Sequence, residues 1–238
     1  MTKSKYLVAM LAAFSVSAFA ATSGKGLVEK EFTEDFFEEK SDLVSTGYNP
    51  YFILEPGYTL EFAGKEGEDG ETVKITVLNE TKMVDGVETR IVEEREMEGG
   101  KLTEVSRNYF AISKRTNNVY YFGEESTKYK DGKPVADPGS WEAGKDGAKY
   151  GLIMPGSALI GARYYQEISP EHAMDRAENI STSGTLKVPA GDFTNVLKVE
   201  ETNPLEPGHI EHKYYAPGVG LIRDGEVVLV KHSSKKGE

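Results

Sequence analysis

The sequence predicts a mostly β protein: an antiparallel meander forming a barrel or half-barrel, with at most one or two short helices. Three observations carry this. Apolar residues recur at every second position in short runs, turn dipeptides separate the runs at hairpin spacing, and helical periodicity is nearly absent. Tyr58, Leu60 and Phe62 alternate with Thr59 and Glu61, and Val73, Ile75 and Val77 alternate with Thr72, Lys74 and Thr76, so each run has one dry face. Similar runs follow at 87–97, 102–112, 119–122, 163–168, 196–201, 209–215 and 226–230, about ten short strands in all.

Turn chemistry marks the ends of these runs. Five of the ten prolines precede a glycine, at Pro56, Pro138, Pro155, Pro207 and Pro217. Proline presets φ for one central turn position, and glycine accepts the positive φ of the next. Asp85-Gly86, Gly99-Gly100, Asp131-Gly132 and Asp224-Gly225 add dipeptides of the two-residue hairpin type.

Taken in chain order, residues 1–20 read as a signal peptide. Lys3 and Lys5 precede an apolar stretch, and Ala18-Phe19-Ala20 supplies the small-residue pattern for cleavage after Ala20. The apolar run is too short for a permanent anchor, and with no cysteine at the cut the lipoprotein route is closed. The processed protein is expected in the periplasm or secreted, without a membrane span. Residues 21–47 form an N-terminal arm or a short amphipathic helix, since Val28, Phe32 and Phe36 recur every four residues. Residues 48–238 form a single antiparallel β domain. Within it 124–155, rich in glycine and proline, is expected as a long loop with one hairpin, and 170–179 as either a helix or a strand. Asn49 and Asn203 both open an Asn-Pro stretch that runs through Leu-Glu-Pro-Gly into a strand, an echo read as a shared turn solution.

Composition narrows the function. The chain has no cysteine, which excludes disulfides, thiolate chemistry and cysteine-bound metals, so burial must hold the fold. Its net charge is −11, and losing Lys3 and Lys5 makes it more negative. Such a field repels phosphate backbones and anionic lipid surfaces, so no nucleic-acid partner is expected. Solubility is one reading of the acidity and cation binding the other.

Candidate chemistry is sparse. His209, Glu211 and His212 lie within four residues, but their spacing is not that of a helical metal motif. On a strand His209 and Glu211 share one side while His212 joins Ile210 and Tyr214 on the other. His209 and Glu211 would supply two ligands to zinc or copper if His232 or His172 gave a third. The alternative is imidazoles on a wet face. No loop carries the calcium-loop series, and the acidic stretch 65–71 reads as a solvated hairpin. No G-x-S-x-G elbow, dinucleotide fingerprint or phosphate loop is present, and no catalytic residue is assigned.

Aromatic residues are the remaining feature. The pairs Tyr120-Tyr121, Tyr164-Tyr165 and Tyr214-Tyr215 place one ring on each side of a strand, and the only tryptophan, Trp141, lies in 124–155. Trp141, Tyr120, Tyr164 and Tyr214 are the candidates for a ligand pocket; rings that simply fill the interior are the alternative. The expected function is a binding or carrier module, not an enzyme, that takes a small apolar molecule. A zinc- or copper-binding protein and an envelope protein working through a protein partner stand as alternatives, and apart from that divalent metal no cofactor is expected.

The segments NPYFILEPG, VYYFGEESTKYKDGK, GSWEAGKDGAKYGLIMPG, VPAGDFTNVLKVEETNPLEPG and HKYYAPGVGL, in that order, resemble an uncharacterised family of exported bacterial proteins. The likeness runs from about residue 48 to residue 222. It implies a bacterial source and export, and carries over no activity, cofactor or site residue. In shape the expected barrel is similar to the open barrels of lipoprotein carriers, an analogy of fold alone.

Overall fold

The computed structural model of the chain describes residues 30–64, 70–135, 139–170 and 172–233. The leader at 1–20, the start of the arm, most of the acidic stretch 65–71, Pro138 and Glu171 lie outside the described residues. A single 3-10 turn at Lys40–Asp42 precedes the strands β1 (Leu43–Val44), β2 (Gly47–Asn49), β3 (Phe52–Leu54), β4 (Thr59–Ala63), β5 (Glu71–Val84) and β6 (Val87–Glu98). They continue as β7 (Lys101–Ser113), β8 (Val119–Lys130), β9 (Lys133–Val135), β10 (Trp141–Glu142), β11 (Lys149–Met154) and β12 (Arg163–Tyr165). The last are β13 (Glu167–Ile168), β14 (Arg176–Val188), β15 (Gly191–Thr202), β16 (Ile210–Ala216), β17 (Gly220–Asp224) and β18 (Val227–Ser233).

Thirteen strands lie side by side in the order β12, β14, β15, β16, β17, β18, β4, β5, β6, β7, β8, β11, β13, all antiparallel, as a nearly closed barrel. Two meanders make it, β4 to β8 and β14 to β18, and pairing of β18 with β4 joins them. The two ends of the path, β12 and β13, are separated in the chain by Gln166 alone, which brings the open edges together. Closure of this kind removes the unpaired edges that would otherwise recruit other strands.

Three of the four hairpin dipeptides form their turns, while at the fourth Asp224 ends β17 paired with Val227 and the turn is Gly225-Glu226. Asp85-Gly86, Gly99-Gly100 and Asp131-Gly132 all take positive φ at both central positions, the two-residue turn whose twist suits flanking strands. The expected Asn-Pro echo is a shared turn: Asn49 Oδ1 accepts from Tyr51 N and Asn203 Oδ1 from Leu205 N, each at 2.8 Å. Gly57 and Gly208, which end the two turns, have φ of 90° and 89°.

One expectation changes, and two open alternatives are decided. The stretch 124–155 is mostly strand: β8 continues to Lys130, β9 forms a hairpin with it, and β10 and β11 also pair with β8. Its inward side chains, Glu124, Ser126 and Lys128, are polar, so no apolar alternation announces the strand. The described part of the arm, from Lys30, is extended rather than helical. Thr33 bridges Tyr164 in parallel, with Thr33 N donating to Arg163 O at 3.0 Å and Tyr165 N to Thr33 O at 2.9 Å. Phe32 and Phe36 pack on different strands, against Tyr165 and Tyr120, which one helical face would not reach. After the turn near Ser169, closed by a bridge to Ala173, residues 176–179 of the 170–179 segment open β14 as strand.

Register partners share a face, so the interior is read row by row. At one end it is apolar. Leu60, Val77, Phe110, Ile112, Val119, Leu197, Ile222 and Leu229 are buried there, and the β2–β3 hairpin caps them. Phe52 meets Phe110 at 4.9 Å, Gly218 N donates to Pro50 O at 2.7 Å, and Tyr58 Oη donates to Val219 O at 2.7 Å. Toward the other end the rows turn polar and then charged.

Candidate functional site

The polar half of the barrel follows directly from register. Leu60 pairs with Ile75, Ile75 with Glu94, Glu94 with Ser106 and Ser106 with Ser126. One row outward, Phe62, Val73, Glu96, Glu104 and Lys128 follow each other in the same way. One row inward, Val77, Val92, Asn108, Glu124 and Trp141 do. On the opposite meander Tyr164, Ala177, Glu201 and Glu211 form one row, and Asn179, Val199, Lys213, Asp224 and Val227 another. Strand alternation thus aims both meanders' carboxyls into one chamber. Burial fades along it: Asn108 and Ser106 are buried, Glu104 partly buried and Lys101 exposed, so the charged end is the barrel's mouth.

Lys213 is the cation engaged at the centre. Its Nζ lies 3.0 Å from Glu201 Oε2 and 3.4 Å from Asp224 Oδ2. Burial alone would lower its pKa, but the charges of Asp224 and Glu201 more than offset that and hold it well above the usual lysine value. Around it Gln166 Nε2 donates to Glu201 Oε1 at 2.9 Å, and Asn203 Nδ2 to Asp175 Oδ1 at 2.8 Å. The Tyr121 hydroxyl sits between Asn108 Oδ1 and Glu124 Oε2, one proton for two acceptors.

Carboxyls outnumber cations here, and their pKa values register it. Burial, with the charge of Asp224 added, pushes Glu94 up to about 7. Burial and the neighbouring Glu94 and Glu104 push Glu96 up to about 9. Asp175 rises to about 6 through burial and Glu201, Glu167 well above the carboxylate range through burial and Asp175, and Asp224 upward through burial, against the pull of Lys213. Neither Glu94 nor Glu96 has a side-chain hydrogen bond or ion pair among the described residues. Trp141 Nε1 is buried with no hydrogen-bond partner among the described residues, and the Asp224 carboxyl lies against Lys213 and Glu211. Shifted carboxyls gathered in one place make this interior the candidate site.

Two concavities lie nearby, neither of them lined by Glu94, Glu96, Lys213 or Asp224. The larger, about 270 Å³, lies on the outer wall between Lys30, Phe32, Arg176, Glu178, Glu200 and Thr202. Glu178 is already matched there, lying 2.6 Å from Lys30 Nζ and 2.9 Å from Arg163 Nε. The smaller, about 250 Å³, opens beside the chamber between Glu124, Trp141, Glu142, Lys145, Ala148 and His172.

The sequence candidates land unevenly. Trp141 is buried with its ring 5.4 Å from that of Tyr121, edge to face, on the interior row of Glu124. Tyr164 also faces inward and donates to Asn179 Oδ1 at 3.0 Å. Tyr120 points outward, where Phe36 of the arm and Tyr150 cover it, and Tyr214 lies outside between Lys198 and Arg223. Their neighbours Tyr121 and Tyr215 are the inward rings. His209 lies in the exposed turn before β16, 3.8 Å from Glu206, while Glu211 shares the interior row of Glu201. His212 pairs outside with Glu200 at 3.4 Å. Among the described residues no three His, Asp or Glu side chains converge so as to hold a metal ion. Glu94, Glu96 and Lys213 carry no motif in the sequence and Asp224 reads there only as a turn residue; the signal for Glu94 and Glu96 is a charged residue at every second position of an otherwise regular strand. Compared with known proteins, the chain matches no family model, no curated protein and no solved structure.

Proposed function

We propose that the chain is an exported binding or carrier protein that takes a small polar ligand into the mouth of its barrel. One observation carries it: within a nearly closed barrel, the carboxyls of Glu94 and Glu96 face the interior with no side-chain hydrogen bond or ion pair among the described residues. Ionising a carboxyl in this interior is costly, as the raised pKa values of Glu94 and Glu96 register, which favours a ligand that brings hydrogen-bond donors to them. The apolar ligand first expected has less support, because the apolar half of the interior is occupied by its own side chains and capped by the β2–β3 hairpin. Export rests on residues 1–20 and on the resemblance to exported bacterial proteins.

Native mass spectrometry of the protein purified from its own host, followed by extraction, tests the reading. A small passenger molecule is expected, reduced or lost in the double variant Glu94→Gln, Glu96→Gln. A clean apo mass in repeated preparations would overturn it.

A further inference from the structure

We infer that the outer wall of the barrel carries a second site, the concavity between the N-terminal arm and strands β14 and β15, and that its occupant is a small zwitterion, a free α-amino acid. The inference goes beyond the binding reading above and does not depend on it.

The arm makes the concavity. Register sets Arg176 opposite Thr202 and Glu178 opposite Glu200 on the outside of the wall, since Ala177 and Glu201 between them face inward. Lys30 and Phe32 of the arm stand over these residues and enclose about 270 Å³. Pockets for drug-sized ligands run from roughly 300 to 1,000 Å³, so the occupant is smaller than that.

Arg176 supplies one half of the site. Its Nε donates to Thr202 Oγ1 at 3.0 Å, and its guanidinium lies 4.4 Å from the centre of the Phe32 ring, so the group is held in place. Neither terminal nitrogen has a hydrogen bond or ion pair among the described residues. A positioned planar fork with unused N–H donors is the geometry that takes a carboxylate in two parallel bonds. Lys30 does not substitute for it, because Glu178 already holds its Nζ at 2.6 Å.

Glu200 supplies the other half. It lies two residues from Thr202 on β15, diagonal to Arg176, with roughly 7–8 Å between their Cα atoms. Among the described residues its carboxylate has one contact, His212 Nε2 at 3.4 Å. A plain anion would be opposed by Glu200 and a plain cation by Arg176. A molecule with carboxylate and ammonium side by side meets both, and Phe32, the one apolar residue of the lining, receives its side chain.

Isothermal titration calorimetry with leucine, isocaproate and isoamylamine separates the two halves on the wild type, since isocaproate is leucine without its amine and isoamylamine is leucine without its carboxylate. Leucine is expected to bind, and each of the other two at least about tenfold more weakly. Arg176→Lys, which keeps the charge and loses the fork, is expected to weaken leucine by about tenfold. Glu200→Gln is expected to weaken leucine by about as much and leave isocaproate unchanged. Absence of heat with leucine, or either probe binding as tightly as leucine, would overturn the assignment; a passenger found by native mass spectrometry would still support the binding reading. Leucine binding that survives Arg176→Lys and Glu200→Gln but is lost in Glu94→Gln with Glu96→Gln would place the amino acid in the mouth of the barrel, overturning the outer site alone.

Discussion

Gly123 shows how much one residue decides at the site. It sits in β8 with φ of 136°, and a Cβ there would collide with the carbonyl oxygen of Trp141 and come within 2.8 Å of Glu142 Cα. The glycine is what allows β10 to lie against β8 and turn the Trp141 ring onto Tyr121. Gly123→Ala is therefore expected to cost about 3 kcal/mol or more and to change the tryptophan fluorescence of the folded protein. Gly147→Ala, at φ of 80° but with nothing within 4 Å, carries only the backbone strain and is expected to cost about 1 kcal/mol. Equal losses in urea melts of the two variants would mean that β10 is not held by this close approach. A glycine inside a β run is visible in the sequence, but the strand it makes room for is not.

Among the elements, the arm and β8 mark the boundary of what the sequence makes legible. Strands such as β4, whose residues alternate between core and water, are readable because one face is apolar throughout. β8 is not, because its inner face changes along its length from Val119 and Tyr121 to Glu124, Ser126 and Lys128 as it climbs from floor to mouth. Nor does the sequence tell which ring of a tyrosine pair turns inward: Tyr120 is 3% and Tyr121 4% exposed, since the arm buries the outer face as thoroughly as the barrel buries the inner one. The arm itself crosses from β12 to β7, with Thr33 on β12, Tyr150 Oη donating to Phe36 O at 2.9 Å, and Ser113 Oγ donating to Glu38 Oε1 at 3.0 Å. It straps the region where the ends of the barrel meet. Phe36→Ala is expected to lower stability by about 2 kcal/mol and Phe37→Ala, almost fully exposed, by no more than about 0.5 kcal/mol. A larger loss at Phe37 than at Phe36 in thermal melts would contradict the extended path of the arm.

For the whole molecule, the chamber couples folding to pH in an unusual direction. Carboxyls in an unfolded chain ionise near 4, whereas folded Asp175, Glu94 and Glu96 hold their protons to about 6, 7 and 9. Between those limits the folded state binds more protons than the unfolded one, so stability is greatest near pH 4–5 and falls as pH rises, with a slope of about 1.4 kcal/mol per pH unit for each proton of difference. Lys213, whose pKa is raised, favours the folded state across this whole window and does not counter the slope. Urea midpoints at pH 5, 7 and 9 are expected to decline steadily. General repulsion in a chain of net charge −11 pushes the same way, but it is spread over exposed groups and screened by salt within about 10 Å at 0.1 M. The chamber is separated from it by position. Glu94→Gln with Glu96→Gln is expected to raise stability at pH 8 by about 1–2 kcal/mol and to flatten the slope by about one proton, with little change at pH 5. Glu34→Gln, on the exposed arm, removes one negative charge and is expected to leave the slope as it is. A slope that the double variant leaves intact, or that moderate salt abolishes in the wild type, would place the proton uptake on the surface and leave the interior carboxyls ionised in the folded protein.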